Sequence, residues 1–305
     1  MPQLVTTLGA KAEYELGLIL PHEHIFVDLR SLDTPGHGQA NETEVVALMA
    51  PELERAGALG VSALVECTPV GVGRRVDLVA AVSRAAGMPV VVPTGIYREP
   101  WVPSWAYSAS EEQLRSWMFG ELDGFIGGTG VQAGWIKLSA GDDGLTPVEK
   151  KILRAAARAA REAGAAIGSH TIRARVVLDQ MEILEESGFP ASRFIAIHAQ
   201  AETDFELNLE VARRGAWLSY DGIGWGDDQL YIERIQAMIE AGFVRQMILS
   251  HDRGWYTPAE PGGGTPKPFT YLLETFLPSL REAGVSDDDI RRMTVSNPFR
   301  ALARV

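Results

Sequence analysis

The sequence predicts an α/β fold of the (β/α)8 (TIM) barrel type, with residues 1–305 forming a single domain. Eight short apolar segments lack polar alternation, as expected of parallel strands that are buried on both faces. A helix-like segment follows each of them, and eight βα units in roughly 250 residues or slightly more is the size of such a barrel. No Ser/Gly-rich or Pro-rich linker separates two halves of the chain.

The eight predicted strands are short and rich in apolar residues. In order, they cover residues 16–20, 63–67, 89–94, 134–138, 165–170, 193–198, 216–220 and 246–252. A doubly wound open sheet is the structural alternative, but that fold usually carries a Gly-rich phosphate turn after its first strand. Here the first strand is followed by Pro21, His22, Glu23 and His24 instead. The barrel is therefore the favoured arrangement.

Capping patterns delimit several of the predicted helices. Residues 110–113 and 203–206 both have the form of a capping box. Thr146 as N-cap, Pro147 at the first helical position and Gly164 as C-cap frame an Ala-rich helix. The predicted helices cover about 41–58, 75–86, a stretch from 110, 146–163, a stretch ending near 186, a stretch from 203 to before 215, 228–241 and segments after 268. Residues 98–109 and 253–268 are expected to be long loops.

Charge and cysteine content restrict the partners and the compartment. The net charge of −12 argues against nucleic acid or an anionic membrane as the main partner, and we interpret it as a solvated surface. The single cysteine, Cys67, allows no intramolecular disulfide and predicts a reducing, cytoplasmic location. The first residues do not resemble a signal peptide, and no apolar run approaches the ~20 residues that span a bilayer.

The pair His22 and His24 at the end of the first strand is a candidate metal clamp. Alternate side chains of a strand point to the same face, so the two imidazoles project together while Glu23 points away. Two neutral imidazoles side by side suit a divalent cation. Taken alone, such a pair is equally well explained as a surface coincidence.

Polar residues at the ends of later strands add to this pair. Barrel enzymes place their chemistry at the carboxyl ends of the strands, and four of the six histidines lie at such ends. Each residue alone has an ordinary structural role, such as a core histidine, an N-cap aspartate or a lysine at the barrel rim. Together they predict a metal site, formed by His22, His24, Lys137, His170, His198 and Asp252.

Lys137 is the unusual member of this set, because an ammonium beside two cations is repelled and costly to bury. Reaction with CO2 would convert its nitrogen into a carbamate, whose two oxygens can bridge two metals. Such a donor set suits two divalent ions, with zinc expected first and manganese, cobalt or iron as alternatives. Two ions about 3.5–4 Å apart can share and deprotonate a water and polarise an acyl or phosphoryl oxygen.

The order and spacing of these residues resemble the phosphotriesterase family of the amidohydrolase superfamily, and especially its lactonase branch. The opening Leu-Gly-x-x-x-x-His-Glu-His and the closing Ser-Asn-Pro-Phe-Arg match as well, so the resemblance extends over the whole chain. It implies that His22, His24 and Asp252 hold the more buried metal. It further implies that His170 and His198 hold the more exposed metal, that N6-carboxylated Lys137 bridges the two ions, and that the protein is a homodimer.

The resemblance also implies a mechanism and some substrate contacts. Asp252 would take the proton from the bridging hydroxide as it attacks, and Tyr97 lies where the lactonase branch has a tyrosine near the bridging water. Tyr97 is equally well explained by packing over the barrel mouth. That branch tends to carry an arginine after strand seven, and residues 221–228 contain none, which argues against acyl-homoserine lactones as substrates.

Other residues near the predicted mouth are candidates for binding a small-molecule substrate. Arg173 and Arg253 could meet an anionic group, although both are also ordinary rim charges. Trp225 and Trp255, with the aromatic loop 101–107, could wall an apolar pocket or serve a dimer interface.

The sequence therefore predicts a binuclear metal hydrolase in which a metal-bound hydroxide attacks a lactone or a carboxylic ester, with phosphotriesters as side substrates. Two alternatives remain open at this point. Within hydrolases, the main substrate could be a phosphotriester or an amide. From another class, the chain could be a non-catalytic barrel that binds metal or ligand.

Overall fold

Consecutive parallel strands form the wall of a barrel in the computed structural model, which describes residues 1–305. These parallel strands and the helices around them form the predicted (β/α)8 barrel. In chain order, the strands are β1 (Leu4–Thr6), β2 (Gly9–Lys11), β3 (Leu18–Phe26), β4 (Val61–Glu66), β5 (Val90–Val91), β6 (Pro93–Thr94), β7 (Trp135–Ser139), β8 (Ile167–His170), β9 (Phe194–Ile197), β10 (Trp217–Tyr220), β11 (Met247–Leu249) and β12 (Gly254–Tyr256).

Helices separate the strands and surround the barrel. They are α1 (Glu42–Ala58), α2 (Val76–Ala86), α3 (Ser104–Ser108), α4 (Glu111–Asp123), α5 (Pro147–Ala163), α6 (Ala174–Glu186), α7 (Phe205–Arg213), α8 (Asp228–Glu240), α9 (Leu277–Glu282), α10 (Asp287–Arg291) and α11 (Asn297–Leu302). Two π-helical turns, Leu272–Phe276 and Arg292–Ser296, precede α9 and α11. No helix is long and apolar enough to cross a membrane.

The barrel wall is continuous around its circumference. Strands β6 to β11 form one parallel sheet, and β12, β3, β4 and β5 form another. The strand predicted at 89–94 is divided into β5, which pairs with β4, and β6, which pairs with β7. On the other side, the backbone N–H of Asp252 donates to the carbonyl of His22 at 3.2 Å. The last strand therefore meets the first at the candidate metal ligands.

Strand β3, the first strand of the barrel wall, is longer than the sequence predicted. It runs to Phe26, so His22 and His24 lie within the strand rather than after it. The extension exists because β12 pairs with it in parallel, with Gly254 opposite His24. A Cβ at Gly254 would lie 2.1 Å from the carbonyl oxygen of His24, and its φ is +93°. Only glycine allows this close approach.

Three local expectations were incomplete. The predicted loop 98–109 contains α3, the predicted loop 253–268 contains β12, and the hairpin of β1 and β2 was not foreseen. The capping box predicted at 203–206 was wrong. Asp204, not Thr203, is the N-cap of α7, and its side chain accepts from the N–H of Glu206. Thr203 donates its hydroxyl to Glu202 instead, at 3.4 Å.

The barrel is open at one end only. Alternate residues of a strand divide between two apolar clusters: Ile195 and Ile197 of β9 belong to the inner cluster, and Phe194 to the outer one beneath the helices. The inner cluster also includes Phe299 and Leu302 of α11. Burial on both faces explains why the strands show no polar alternation. The packed interior and α11 leave the carboxyl ends of the strands as the accessible end.

Candidate metal centre

Strand β3 presents two histidines on one face and a glutamate on the other, as the alternation predicted. His22 and His24 are 1% and 8% exposed, and both line a cavity of about 110 Å³ at the open end of the barrel. Glu23 is fully buried and accepts hydrogen bonds from Ser250 Oγ at 2.6 Å and the N–H of Arg253 at 2.7 Å. Glu23 therefore connects β3 to the segment that follows β11.

Asp252 comes from that segment and meets both histidines. Its Oδ1 lies 3.2 Å from Nε2 of His24 and 3.6 Å from Nε2 of His22. The backbone of Asp252 adopts a left-handed φ of 49°, which is uncommon for a residue other than glycine. The three side chains form one group whose ligand atoms could hold a metal ion.

His170 is the last residue of β8 and His198 directly follows β9. The two side chains lie together beside this group. Nδ1 of His170 is 2.8 Å from Nε2 of His198, and the ring centroids of His22 and His198 are 5.0 Å apart. Two imidazole nitrogens at this separation share a proton or face a common cation. The structure thus brings all four predicted histidines to one cavity.

Lys137 lies at the floor of the same cavity, in strand β7. Its side chain is 1% exposed, yet no carboxylate oxygen lies within 4.0 Å of Nζ. The neighbouring strand follows its backbone closely, since a Cβ at Gly95 would lie 2.1 Å from the carbonyl oxygen of Lys137. Burial of an ammonium without an acidic partner is energetically costly, which makes Lys137 an unusual core residue.

Asp221, directly after β10, is a site residue that the sequence interpretation missed. Its Oδ1 lies 2.7 Å from Nδ1 of His198, and its Oδ2 lies 3.2 Å from Nδ1 of His22. The same rule that selected the other residues, a polar side chain just after a strand, could have found it. A carboxylate at Nδ1 fixes the ring and leaves Nε2 free to bind a metal.

Thr68 was missed for a different reason. Its hydroxyl lies 2.7 Å from Nδ1 of His24, and Glu66 Oε1 lies 3.7 Å from the same nitrogen. Glu66 is the last residue of β4, and Thr68 follows it by two residues. This short segment contains no histidine or aspartate that would have indicated a site. Thr68 and Glu66 hold the ring of His24 as Asp221 holds that of His198.

The protonation states suit metal ligation at most of these positions. Burial lowers the pKa of His22 and lowers that of His170 further below its usual value, so both imidazoles are neutral, as ligation requires. Burial opposes ionisation of Asp221, but His198 and His22 beside it hold the pKa of its carboxyl well below the usual range.

His24 differs from His22 and His170 in the direction of its pKa shift. Burial acts to lower its pKa, but hydrogen bonds with Asp252 and Glu66 outweigh burial and raise that pKa to about 9. A cation binding at its Nε2 would therefore displace a proton.

Of the predicted substrate contacts, Tyr97 lines the cavity, and its hydroxyl lies 3.3 Å from Nδ1 of His170. Arg173 is exposed at the N-cap of α6. Arg253 donates to the carbonyl of Gly224 at 2.9 Å. Trp225 is 46% exposed and donates its indole N–H to a backbone carbonyl. Arg173, Arg253 and Trp225 are not among the cavity-lining residues, whereas Trp255 is.

Comparison with known proteins places this geometry in a family. The family model described as "Phosphotriesterase family" matches residues 2–302. A relative named phosphotriesterase homology protein, from Mycobacterium tuberculosis, is 30% identical over 100% of this chain and 98% of its own length. The aryldialkylphosphatase of Saccharolobus solfataricus is 26% identical, with 93% of this chain and 94% of that protein covered.

Two further comparisons cover most of the chain. The N-acetyltaurine hydrolase of Dictyostelium discoideum is 29% identical over 87% of this chain and 74% of its own length. Among solved structures, a double mutant of the organophosphorus hydrolase from Deinococcus radiodurans superposes with a TM-score of 0.89 at 29% identity, covering 98% of this chain and 96% of the other. The chain therefore belongs to the phosphotriesterase family of hydrolases.

Proposed function

We propose that this chain is a binuclear metal-dependent hydrolase that opens lactones or cleaves carboxylic esters, with phosphotriesters as secondary substrates. One observation carries the proposal. Six side chains from five barrel strands or the segments that follow them border one small cavity, namely His22, His24, Lys137, His170, His198 and Asp252. Their donors are imidazoles and carboxylates, the ligands that suit zinc, manganese, cobalt or iron.

The residues divide into two ligand groups in this proposal. His22, His24 and Asp252 hold the more buried ion, and His170 and His198 hold the second. Lys137, as an N6-carboxylated side chain, joins the two groups, which would replace its unpaired buried positive charge by a negative one. Two bound cations would supply Lewis acidity toward the acyl oxygen and would lower the pKa of a water between them.

The chain's own groups supply proton transfer and orientation. Asp252 is 19% exposed at its side chain, and its carboxylate borders both His24 and the cavity, so it accepts the proton of the attacking water. The hydroxyl of Tyr97, held near His170, orients the substrate carbonyl. Thr68, Glu66 and Asp221 hold the imidazoles in position, so little reorganisation accompanies the reaction.

An amide or a phosphotriester is the second candidate for the main substrate. The activities named for two relatives support this alternative, since these relatives are an aryldialkylphosphatase and an N-acetyltaurine hydrolase. The same arrangement of Asp252 and Tyr97 serves each of these bonds. The distinction therefore needs a direct comparison of rates.

A hydrolysis panel tests the proposal. Protein reconstituted with zinc, manganese or cobalt is assayed against lactones of several ring sizes, carboxylic esters, amides and phosphotriesters. We expect kcat/KM to be highest for a lactone or ester and to fall by several orders of magnitude in Asp252→Asn, because an amide cannot accept the proton. Highest activity on an amide or phosphotriester would replace the lactone assignment, and near-normal turnover by Asp252→Asn would remove this residue from the mechanism.

The proposed assembly rests on the family resemblance, and the proposed location rests on the single cysteine, Cys67. We propose a cytoplasmic homodimer that acts on a small-molecule substrate. Light scattering coupled to size-exclusion chromatography measures the mass directly, and a value near one 33.1 kDa chain would contradict the dimer.

A further inference from the structure

Strand β12, which follows β11, holds a tryptophan in an unusual conformation. Trp255 has a φ of 73°, a left-handed backbone that bulky residues rarely adopt and that concentrates at functional sites. Its indole N–H donates to the carbonyl of Asp252 at 3.0 Å, and its ring lies 5.3 Å from the ring of His24. The backbone therefore holds Trp255 as a wall of the cavity, beside a candidate metal ligand.

A lysine packs against the indole rings of Trp225 and Trp255. Nζ of Lys267 is 3.4 Å from the ring centroid of Trp225 and 5.4 Å from that of Trp255. The backbone of Lys267 is fixed as well, since it exchanges two hydrogen bonds with Gly254, at 2.9 and 2.8 Å. Cation–π contacts with two indoles hold the ammonium at a defined place.

The charge of this ammonium is not neutralised. No carboxylate oxygen lies within 4.0 Å of Nζ of Lys267, in a chain whose net charge is −12. Burial lowers the pKa of Lys267 and the charge of Asp252 raises it, so the ammonium is within electrostatic range of the candidate metal centre. It is a fixed cation beside the ring of Trp255, which lines the cavity, and no acceptor of the chain takes a hydrogen bond from its Nζ.

We propose that Lys267, held by Trp225 and Trp255, is a specificity-determining residue that binds a carboxylate on the substrate, several bonds away from the bond that is hydrolysed. This inference rests on the proposed hydrolase function and adds the substrate class to it. The indoles cover part of the ammonium and contact the substrate's carbon chain, while the remaining N–H groups donate to the carboxylate. The protein would then prefer acidic substrates over neutral ones of the same length.

Other cations near the mouth are less suited to this role. The guanidinium of Arg253 stacks on Tyr271 at 4.4 Å and one of its NH2 groups donates to the carbonyl of Gly224 at 2.9 Å, so this group is held away from the ring of Trp255. Arg173 is exposed at the N-cap of α6 and lies within electrostatic range of the Glu202 carboxylate, which competes for its charge. Arg98 follows Tyr97 directly, has no ion-pair partner, and is the rival that an experiment must separate from Lys267.

The test compares two substrates that differ in one charge: an aryl monoester of glutaric acid, with a free carboxylate, and the matching aryl methyl diester, which is neutral. We expect Lys267→Met to reduce kcat/KM for the acid by about 10- to 100-fold, mainly through KM, the size of a lost hydrogen bond to a charged group. The neutral diester should change little. Lys267→Arg should restore the preference, and the exposed-lysine control Lys150→Met should behave as wild type.

The other outcomes separate failure of the role of Lys267 from failure of the hydrolase proposal. Equal kcat/KM of the wild type for the two substrates, or loss of the preference only in Arg98→Met, would overturn the role of Lys267 and leave the hydrolase proposal intact. A wild type inactive on both substrates would count against the proposed function instead. In that case glutarate binding to the metal-loaded protein, measured by calorimetry, tests Lys267 without turnover: weaker binding in Lys267→Met supports the inference, and unchanged binding overturns it.

Discussion

The carboxylate of Asp221 accepts a hydrogen bond from Nδ1 of His198 at 2.7 Å, while its other oxygen lies 3.2 Å from Nδ1 of His22. One fully buried side chain thus contacts a proposed ligand of each metal ion. Such a link between the two halves of a binuclear centre means that loss of the carboxylate disturbs both ions rather than one. Ring orientation by an outer carboxylate raises the affinity of imidazole for metals.

We therefore predict that Asp221→Asn lowers metal affinity about 10- to 100-fold, because an amide holds the two imidazoles less firmly. Metal content after dialysis against a weak chelator, measured by mass spectrometry, checks the prediction. Asp288→Asn, an exposed aspartate in α10, serves as the control. Loss of only one equivalent of metal from Asp221→Asn would show that the two ions are held independently.

A second prediction concerns the buried lysine. Lys137→Ala should lose bound metal and activity, because the bridging group is gone, and added short carboxylates such as acetate should restore part of both. Activity measured against acetate concentration, with Lys150→Ala as the control, gives the result. A Lys137→Met variant that retained two metals and near-normal turnover would exclude the carbamate.

The glycine beside Lys137 allows a test of the site's framework. In Gly95→Ala the new Cβ would meet the carbonyl oxygen of Lys137 at 2.1 Å, with a φ of +113°. We expect the free energy of unfolding to fall by about 3 kcal/mol or more. Gly87→Ala is the matched control, since Gly87 also has a positive φ but no atom within 4 Å, and it should cost about 1 kcal/mol. Similar values from urea denaturation of the two variants would contradict the steric account.

The loop after β3 makes the stability of the fold depend on pH in a way that does not involve the metal ligands. Burial alone would raise the pKa of Asp28, but hydrogen bonds from Arg30 and the N–H of Gly38 lower it from 3.8 to about 2. A lowered folded-state pKa gives stability that is present above the unfolded value and is lost as the pH falls through the folded value. The contribution of Asp28 should therefore be constant above about pH 5 and should disappear between about pH 4 and pH 2.

The variant Asp28→Asn tests this expectation. Its free energy of unfolding should be about 2 kcal/mol lower than that of the wild type at pH 7, and the difference should shrink on acidification through that window. Asp77→Asn is the matched control, because Asp77 also pairs with an arginine two residues away but has a side chain that is 46% exposed. An exposed pair should cost less than about 1 kcal/mol. A difference for Asp28→Asn that grew at low pH would reverse the assigned sign.

The sequence was sufficient for the barrel and for the residues that the structure gathers at its open end. Strand ends can be read from apolar runs, and a parallel barrel brings every carboxyl end to one face, so His22, His170 and His198 could be placed together without coordinates. Their roles as metal ligands stay a prediction. Asp221 follows a strand in the same way, but a single aspartate there is equally well explained as a cap.

Features that depend on contacts between distant segments could not be predicted. The strand β12 exists because Gly254 fits against His24, and that pairing turns Trp255 toward the cavity. The arginine next to Asp252 in sequence is directed to Gly224 and Tyr271, whereas Lys267 comes from a later segment and packs against Trp225 and Trp255. Adjacency in sequence to Asp252 therefore did not determine the direction of the Arg253 side chain, and its role in substrate binding stays a prediction.

The most direct test of the central claim is the number of divalent cations bound per chain, titrated against hydrolytic activity. Protein stripped of metal is supplemented with zinc, manganese or cobalt, and bound metal is measured by mass spectrometry while lactone or ester hydrolysis is followed. The account predicts that activity rises until two equivalents are bound per chain. Less than one tightly bound equivalent, with no gain in activity from any of the three ions, would contradict it and favour a non-catalytic barrel.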